Sequence, residues 1–200
     1  MKFVKPLMVV GFLFLSIAGS AQLNSEQQSI KKVFFDFLHF YQKNESKFDA
    51  FKLYKGTGKD NEPPYHIQWK EVERYASFLR KNVPYVGEAY IASEKKDFQF
   101  YDSCYKADPN EEMVVGFDYD RWGGGQESIK YLIQWHTSKD NLYKVNIKGD
   151  KAELLIGSPP WQGAIKEERQ WSKVPFAKEK GRWVMAGNID SVDEYNPVTL

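Results

Sequence analysis

Cysteine is almost absent from this 200-residue chain, and Cys104 is its single example. A disulfide framework within the chain and a cysteine-based zinc cluster are both excluded. Histidine is nearly as scarce: His39, His66 and His136 never fall at the i, i+2 or i, i+4 spacing of paired zinc ligands. An excess of one charge is missing too, with 28 Lys+Arg set against 27 Asp+Glu. That balance leaves no footprint for nucleic acid or for an anionic membrane surface. There is no internal repeat and no low-complexity tract. Lys55-Gly56-Thr57-Gly58-Lys59-Asp60 falls short of a phosphate loop, because Leu53 stands where the first glycine belongs and Asp60 where a hydroxyl residue belongs. Nothing in the chain calls for a cofactor or a resident metal.

Apolar and aromatic residues are plentiful, at 42% and 16% of the chain, and a chain of this length buries a full core without staples. The first long apolar run is a leader. Lys2 and Lys5 precede Leu7–Ala18, and Gly19-Ser20-Ala21 supplies small residues for cleavage. The run is short for a membrane span and has the three parts of a secretory signal. Residues 1–21 therefore read as a signal peptide and residues 22–200 as one exported domain, periplasmic or secreted, with no membrane span once the leader is removed.

Within that domain, Ser25-Glu26-Gln27-Gln28 has the form of a capping box. Ile30, Val33, Phe34, Phe37, Leu38 and Tyr41 follow at helical spacing. A second helix is expected over Trp69–Leu79 and a further one within Tyr85–Tyr105, with Lys55–Pro64 as a surface loop between the first two. After Pro109 the period changes. Ile129, Tyr131, Ile133 and Trp135 alternate, as do Tyr143, Val145 and Ile147, and then Ala152, Leu154 and Ile156. Gly149-Asp150 and Lys178–Gly181 read as hairpin turns. The pattern predicts an α+β domain with N-terminal helices packed on one face of a four- or five-stranded antiparallel sheet. Trp135 and Trp183 are expected in its core, and Cys104 as a buried, inert thiol.

The most unusual stretch is Phe117-Asp118-Tyr119-Asp120-Arg121-Trp122-Gly123-Gly124-Gly125-Gln126-Glu127. A calcium loop starting at Asp118 would place Trp122 at the fifth position and Ile129 at the closing twelfth, where a carboxylate is needed. Three glycines in a row carry a large ordering cost, which suits a place where backbone must approach something closely. Asp118, Asp120, Arg121 and Glu127 supply both charge signs, Gln126 an amide, and Tyr119 and Trp122 flat apolar surface. That mixture reads as a polar-rimmed contact site for a ligand or partner, with Trp161 beside Pro159-Pro160 as a second exposed aromatic. The alternative is that Trp122 folds inward and plugs the end of the sheet.

The aromatic first helix, the middle helices and the C-terminal meander ending in Gly181-Arg182-Trp183-Val184-Met185 resemble the cystatin-like or nuclear-transport-factor-two-like superfamily. More narrowly, Asp118-Tyr119-Asp120-Arg121-Trp122 with Gln126-Glu127 is similar to the Asp-x-Asp-Pro-aromatic…Gln-Asp segment of the YbjP-type bacterial envelope domains. Here Arg121 stands for the proline and Glu127 for the aspartate. That resemblance brings no established activity, and the superfamily hosts enzymes, binders and inhibitors alike. The reading from sequence is an exported, non-catalytic binding protein whose partner is an envelope protein or a small ligand. One alternative is an inhibitor or immunity protein against an envelope-active enzyme. The other is a small-molecule enzyme using a superfamily-type pocket, with His136 or an acid such as Asp118 as general base.

Overall fold

The computed structural model describes residues 23–160 and 169–192. Residues 1–21, expected as a leader, and Trp161 lie outside the described residues. In chain order the elements are α1 (Ser25–Phe48), a small hairpin of β1 (Tyr54–Gly56) and β2 (Tyr65–Ile67), α2 (Trp69–Asn82), α3 (Glu88–Ala107), α4 (Ile129–His136), and then β3 (Leu142–Lys148), β4 (Lys151–Ser158), β5 (Gln170–Glu179), β6 (Arg182–Met185) and β7 (Asp190–Ser191). The last five strands form one antiparallel sheet in the order β3-β4-β5-β6, with β7 pairing β5, and the helices lie on one side of it. The domain is α+β.

α1 forms because its apolar residues recur at three- and four-residue intervals and its first turn is capped. The Asn24 side chain accepts from the Gln27 amide at 2.9 Å, and Gln27 Oε1 accepts from the Asn24 amide at 2.9 Å. The cap therefore lies one residue before the Ser25–Gln28 pair that the sequence suggested. The earlier register leaves Gln27 Nε2 free to donate to the Val145 carbonyl of edge strand β3 at 2.9 Å. Ile30, Phe34, Phe37, Leu38 and Tyr41 are all buried, in a face that packs on β3, β6 and α4.

α4 corrects the expectation of a strand over Ile129–Trp135. The eight residues satisfy both periods, and the helical one places Ile129, Leu132, Ile133 and His136 inward while Tyr131 is left 49% exposed. The Ser128 side chain accepts from the Tyr131 amide and starts the helix. Trp135 is consequently half-buried rather than in the core, whereas Trp183 is buried. Lys55–Pro64 is likewise more than a loop: it holds β1, a single 3-10 turn and the approach to β2. Cys104 is half-buried on α3.

In the sheet, alternate residues face the helices, as a half-buried antiparallel sheet requires. Val145, Leu154 and Val174 lie in one cross-strand row and Ala152, Phe176 and Met185 in the next. All six are buried. The segment before α3 closes the free edge of β6, where the Met185 amide donates to the Tyr85 carbonyl at 2.8 Å and the Gly87 amide to the Met185 carbonyl at 3.1 Å. Among the described residues no helix is long and apolar enough to cross a membrane.

Candidate functional site

The Asp118–Glu127 stretch is a tight turn folded around Asp120. The Asp120 amide donates to the Gly125 carbonyl at 2.7 Å, and the Gly124 amide donates back to the Asp120 carbonyl at 2.7 Å. Asp120 Oδ1 accepts from the Trp122 amide at 3.0 Å and the Gly123 amide at 2.8 Å. Gly124 adopts φ +74°, and a Cβ there would lie 2.2 Å from Ile189 Cγ2. A Cβ on Gly123 would lie 2.6 Å from Leu132 Cδ1. The glycines thus let the turn seat directly on α4 and on the segment after β6.

Two consecutive side chains of the turn point into the protein. Arg121 is 3% exposed, and its Nη2 donates to Glu94 Oε1 of α3 at 2.8 Å. The guanidinium carbon lies 4.5 Å from the Phe98 ring centre and 5.6 Å from that of Phe117. Glu94 is fully engaged: Oε2 accepts from the Tyr75 hydroxyl at 2.9 Å and Oε1 also accepts from Asn188 Nδ2 at 2.6 Å. Asn188 in turn accepts from the Tyr90 hydroxyl. Burial works against the Arg121 charge, but Glu94 and the surrounding hydroxyls outweigh it and hold the guanidinium above its ordinary range.

Of the two paths open to Trp122, the structure takes the inward one. Its Nε1 donates to the Tyr75 hydroxyl at 2.7 Å, and its ring packs 5.1 Å from Tyr41 and 5.2 Å from Phe48. Burying an indole requires a partner for its N–H, and Tyr75 supplies it. The exposed aromatic of this stretch is instead Tyr119, at 41%.

The outer face of the turn is one wall of an open cleft of about 910 Å³, bordered by Tyr119, Asp120, Arg121, Trp122, Gln126 and Glu127. The end of α1 (Tyr41, Glu45, Asp49), Lys52 and Tyr54, Lys55 and Gln68 complete it. Of the residues singled out in the sequence, Arg121 and Trp122 contribute from buried positions, and Asp118 is exposed but does not border the cleft. The α1 and hairpin residues had no motif to announce them. Glu94 did leave a signal, because Tyr90, Ile91, Glu94 and Phe98 share one helical stripe and place a carboxylate among buried apolar residues. Burial raises the carboxyl pKa of Asp120, and Asp49 adds to the effect. Burial, followed by the charges of Asp120, Asp49 and Glu45, pushes the neighbouring Tyr41 hydroxyl up as well. These three carboxylates therefore gather at one end of the cleft.

His136 does not border the cleft. It is 4% exposed, with Nε2 2.9 Å from the Gly123 carbonyl and its ring edge-on to Phe34. A carbonyl only accepts, so Nε2 carries a proton, and the buried Nδ1 has no partner for a second one, which favours the neutral ring. Burial lowers its pKa below the ordinary histidine value, with the Gly123 contact opposing in part. Because the folded value is depressed, this contribution to stability is present above pH 6.5 and is lost as pH falls toward the folded pKa. Denaturant midpoints are expected to drop on acidification below neutrality, and His136→Gln should flatten that slope. An unchanged slope in the variant would show that His136 is not its source.

Among the described residues no group of three His, Cys, Asp or Glu side chains is placed to hold a metal ion. Comparison with known proteins finds no family model, no curated protein and no solved structure that matches the chain.

Proposed function

We propose that the chain is an exported, non-catalytic binding protein of the periplasm or cell envelope, and that the cleft beside the Asp118–Glu127 turn is its binding face. One observation carries this reading. Four residues of the most unusual stretch in the sequence (Tyr119, Asp120, Gln126 and Glu127) border one cleft together with Asp49, Lys52 and Tyr54. The wall is held rigid from behind by Arg121 and Trp122, so the cleft is formed before anything enters it, which lowers the cost of binding. Its volume of about 910 Å³ falls in the range of ligand sites. Neither His136 nor Asp118 borders it, which weighs against these two residues as general base. The export signal supports the location, and kinship with the YbjP-type domains rests on the Asp118–Glu127 segment.

A cleft-blocking variant tests the proposal. Gln126 is exposed and lines the cleft, so Gln126→Trp should fill it at little cost in stability. Fractionated envelope material is expected to raise the Tm of the wild-type protein and not that of Gln126→Trp. A partner protein recovered with the wild type alone would point to the inhibitor or immunity role at the same face. Equal stabilisation of both proteins, or of neither, would refute the cleft as the binding face.

A further inference from the structure

Taking the cleft as the binding face, we infer that its ligand is an uncharged, polyhydroxylated chain, a glycan, stacked on Tyr119 and Tyr54. The two rings are the first reason. Tyr119 is 41% exposed at the rim, with its hydroxyl beside that of Tyr101. Tyr54 is half-buried and pinned against Phe117 at a centroid distance of 4.7 Å. Both border the cleft. Fixed aromatic faces on the wall of a polar cleft suit the flat, apolar C–H face of a sugar ring, and little freedom is lost when one docks.

The polar lining is the second reason. Sugar hydroxyls donate and accept at once, and the cleft offers strong acceptors in Asp49 and Glu127, strong donors in Lys52 and Lys55, and amides that do both in Gln68 and Gln126. An anionic ligand fits poorly, because the carboxylates bordering the cleft outnumber its lysines and the Arg121 guanidinium is already paired with Glu94. A cationic ligand would draw on the carboxylates alone, of which Asp120 is occupied with the Trp122 and Gly123 amides. It would leave the lysines, the exposed Tyr119 ring and the half-buried Tyr54 ring without a role. The cleft is open to solvent, and its volume of about 910 Å³ is larger than a single sugar ring, which suits a chain of several.

The probes are two uncharged oligosaccharides, chitotetraose and cellotetraose, and one cationic peptide, tetralysine, titrated calorimetrically into the wild-type protein, Tyr119→Ala and Gln126→Trp. At least one oligosaccharide is expected to bind saturably, with the same affinity at low and high salt. Tyr119→Ala should weaken it about tenfold, as for the loss of an aromatic anchor, with Tm unchanged. Saturable binding of tetralysine alone, lost at high salt and in Gln126→Trp, would overturn the glycan assignment and leave the cleft in place as the binding face. Failure of both oligosaccharides to saturate would overturn the assignment as well, and the envelope-fraction test would then decide the cleft independently. An oligosaccharide that binds the wild type and Gln126→Trp equally would overturn the assignment and the cleft together.

Discussion

Arg121→Met is expected to cost about 3–5 kcal/mol of folding stability, the loss typical of breaking a buried ion pair from one side. The substitution keeps most of the apolar stem but strands the Glu94 carboxylate, which is 2% exposed and retains only its bonds from Tyr75 and Asn188. Those bonds help to seat the charge without neutralising it, so the desolvation penalty of the carboxylate is left uncovered. The double variant Arg121→Met/Glu94→Gln should recover a large part of the loss, since the amide keeps hydrogen bonding and carries no charge. Urea denaturation of the wild type, both single variants and the double variant measures the coupling. Losses that simply add would show that the two side chains do not act as a pair.

Trp122→Ala is expected to cost a similar amount, about 3–5 kcal/mol for truncating a buried large aromatic. The indole fills the space between Tyr41 and Phe48, and its N–H is the donor that reaches the Tyr75 hydroxyl. Its removal leaves a void in an aromatic cluster and takes away the donor to that hydroxyl. Trp122→Phe should fall between, restoring much of the packing without the N–H. Thermal unfolding of the three proteins separates the packing contribution from the hydrogen bond. A loss below about 1 kcal/mol for the alanine variant, within the range of surface substitutions and mild repacking, would mean that the ring is dispensable to the core.

Much of the fold is legible in the sequence wherever one period stands alone. α1 and α2 show helical spacing with nothing competing, and β3 and β4 alternate on either side of Gly149-Asp150. Where two periods coexist, the sequence does not decide. Ile129–His136 fits a strand by its odd-numbered residues and a helix by Ile129, Leu132, Ile133 and His136, and the cap at Ser128 settles the matter locally. The candidate site divides in the same way. Its composition marks Asp118–Glu127 as unusual, but which side chains turn inward depends on partners far along the chain. Arg121 can be buried because Glu94 waits on α3, 27 residues earlier, and Trp122 because Tyr75 waits on α2, 47 residues earlier. Charge alone would have placed Arg121 outside. The cleft residues from the end of α1 and the β1–β2 hairpin join the turn only through packing, so no motif records them.

On the proposed reading the turn has two faces: Arg121 and Trp122 fix it to the core, and Tyr119 meets the ligand. The most direct test measures Tm and envelope-fraction binding side by side for Tyr119→Ala and Trp122→Ala. The prediction is that Tyr119→Ala keeps the wild-type Tm and binds about tenfold more weakly, while Trp122→Ala unfolds at a markedly lower temperature. A Tyr119→Ala protein that binds as the wild type does, or a Trp122→Ala protein with unchanged Tm, would contradict it.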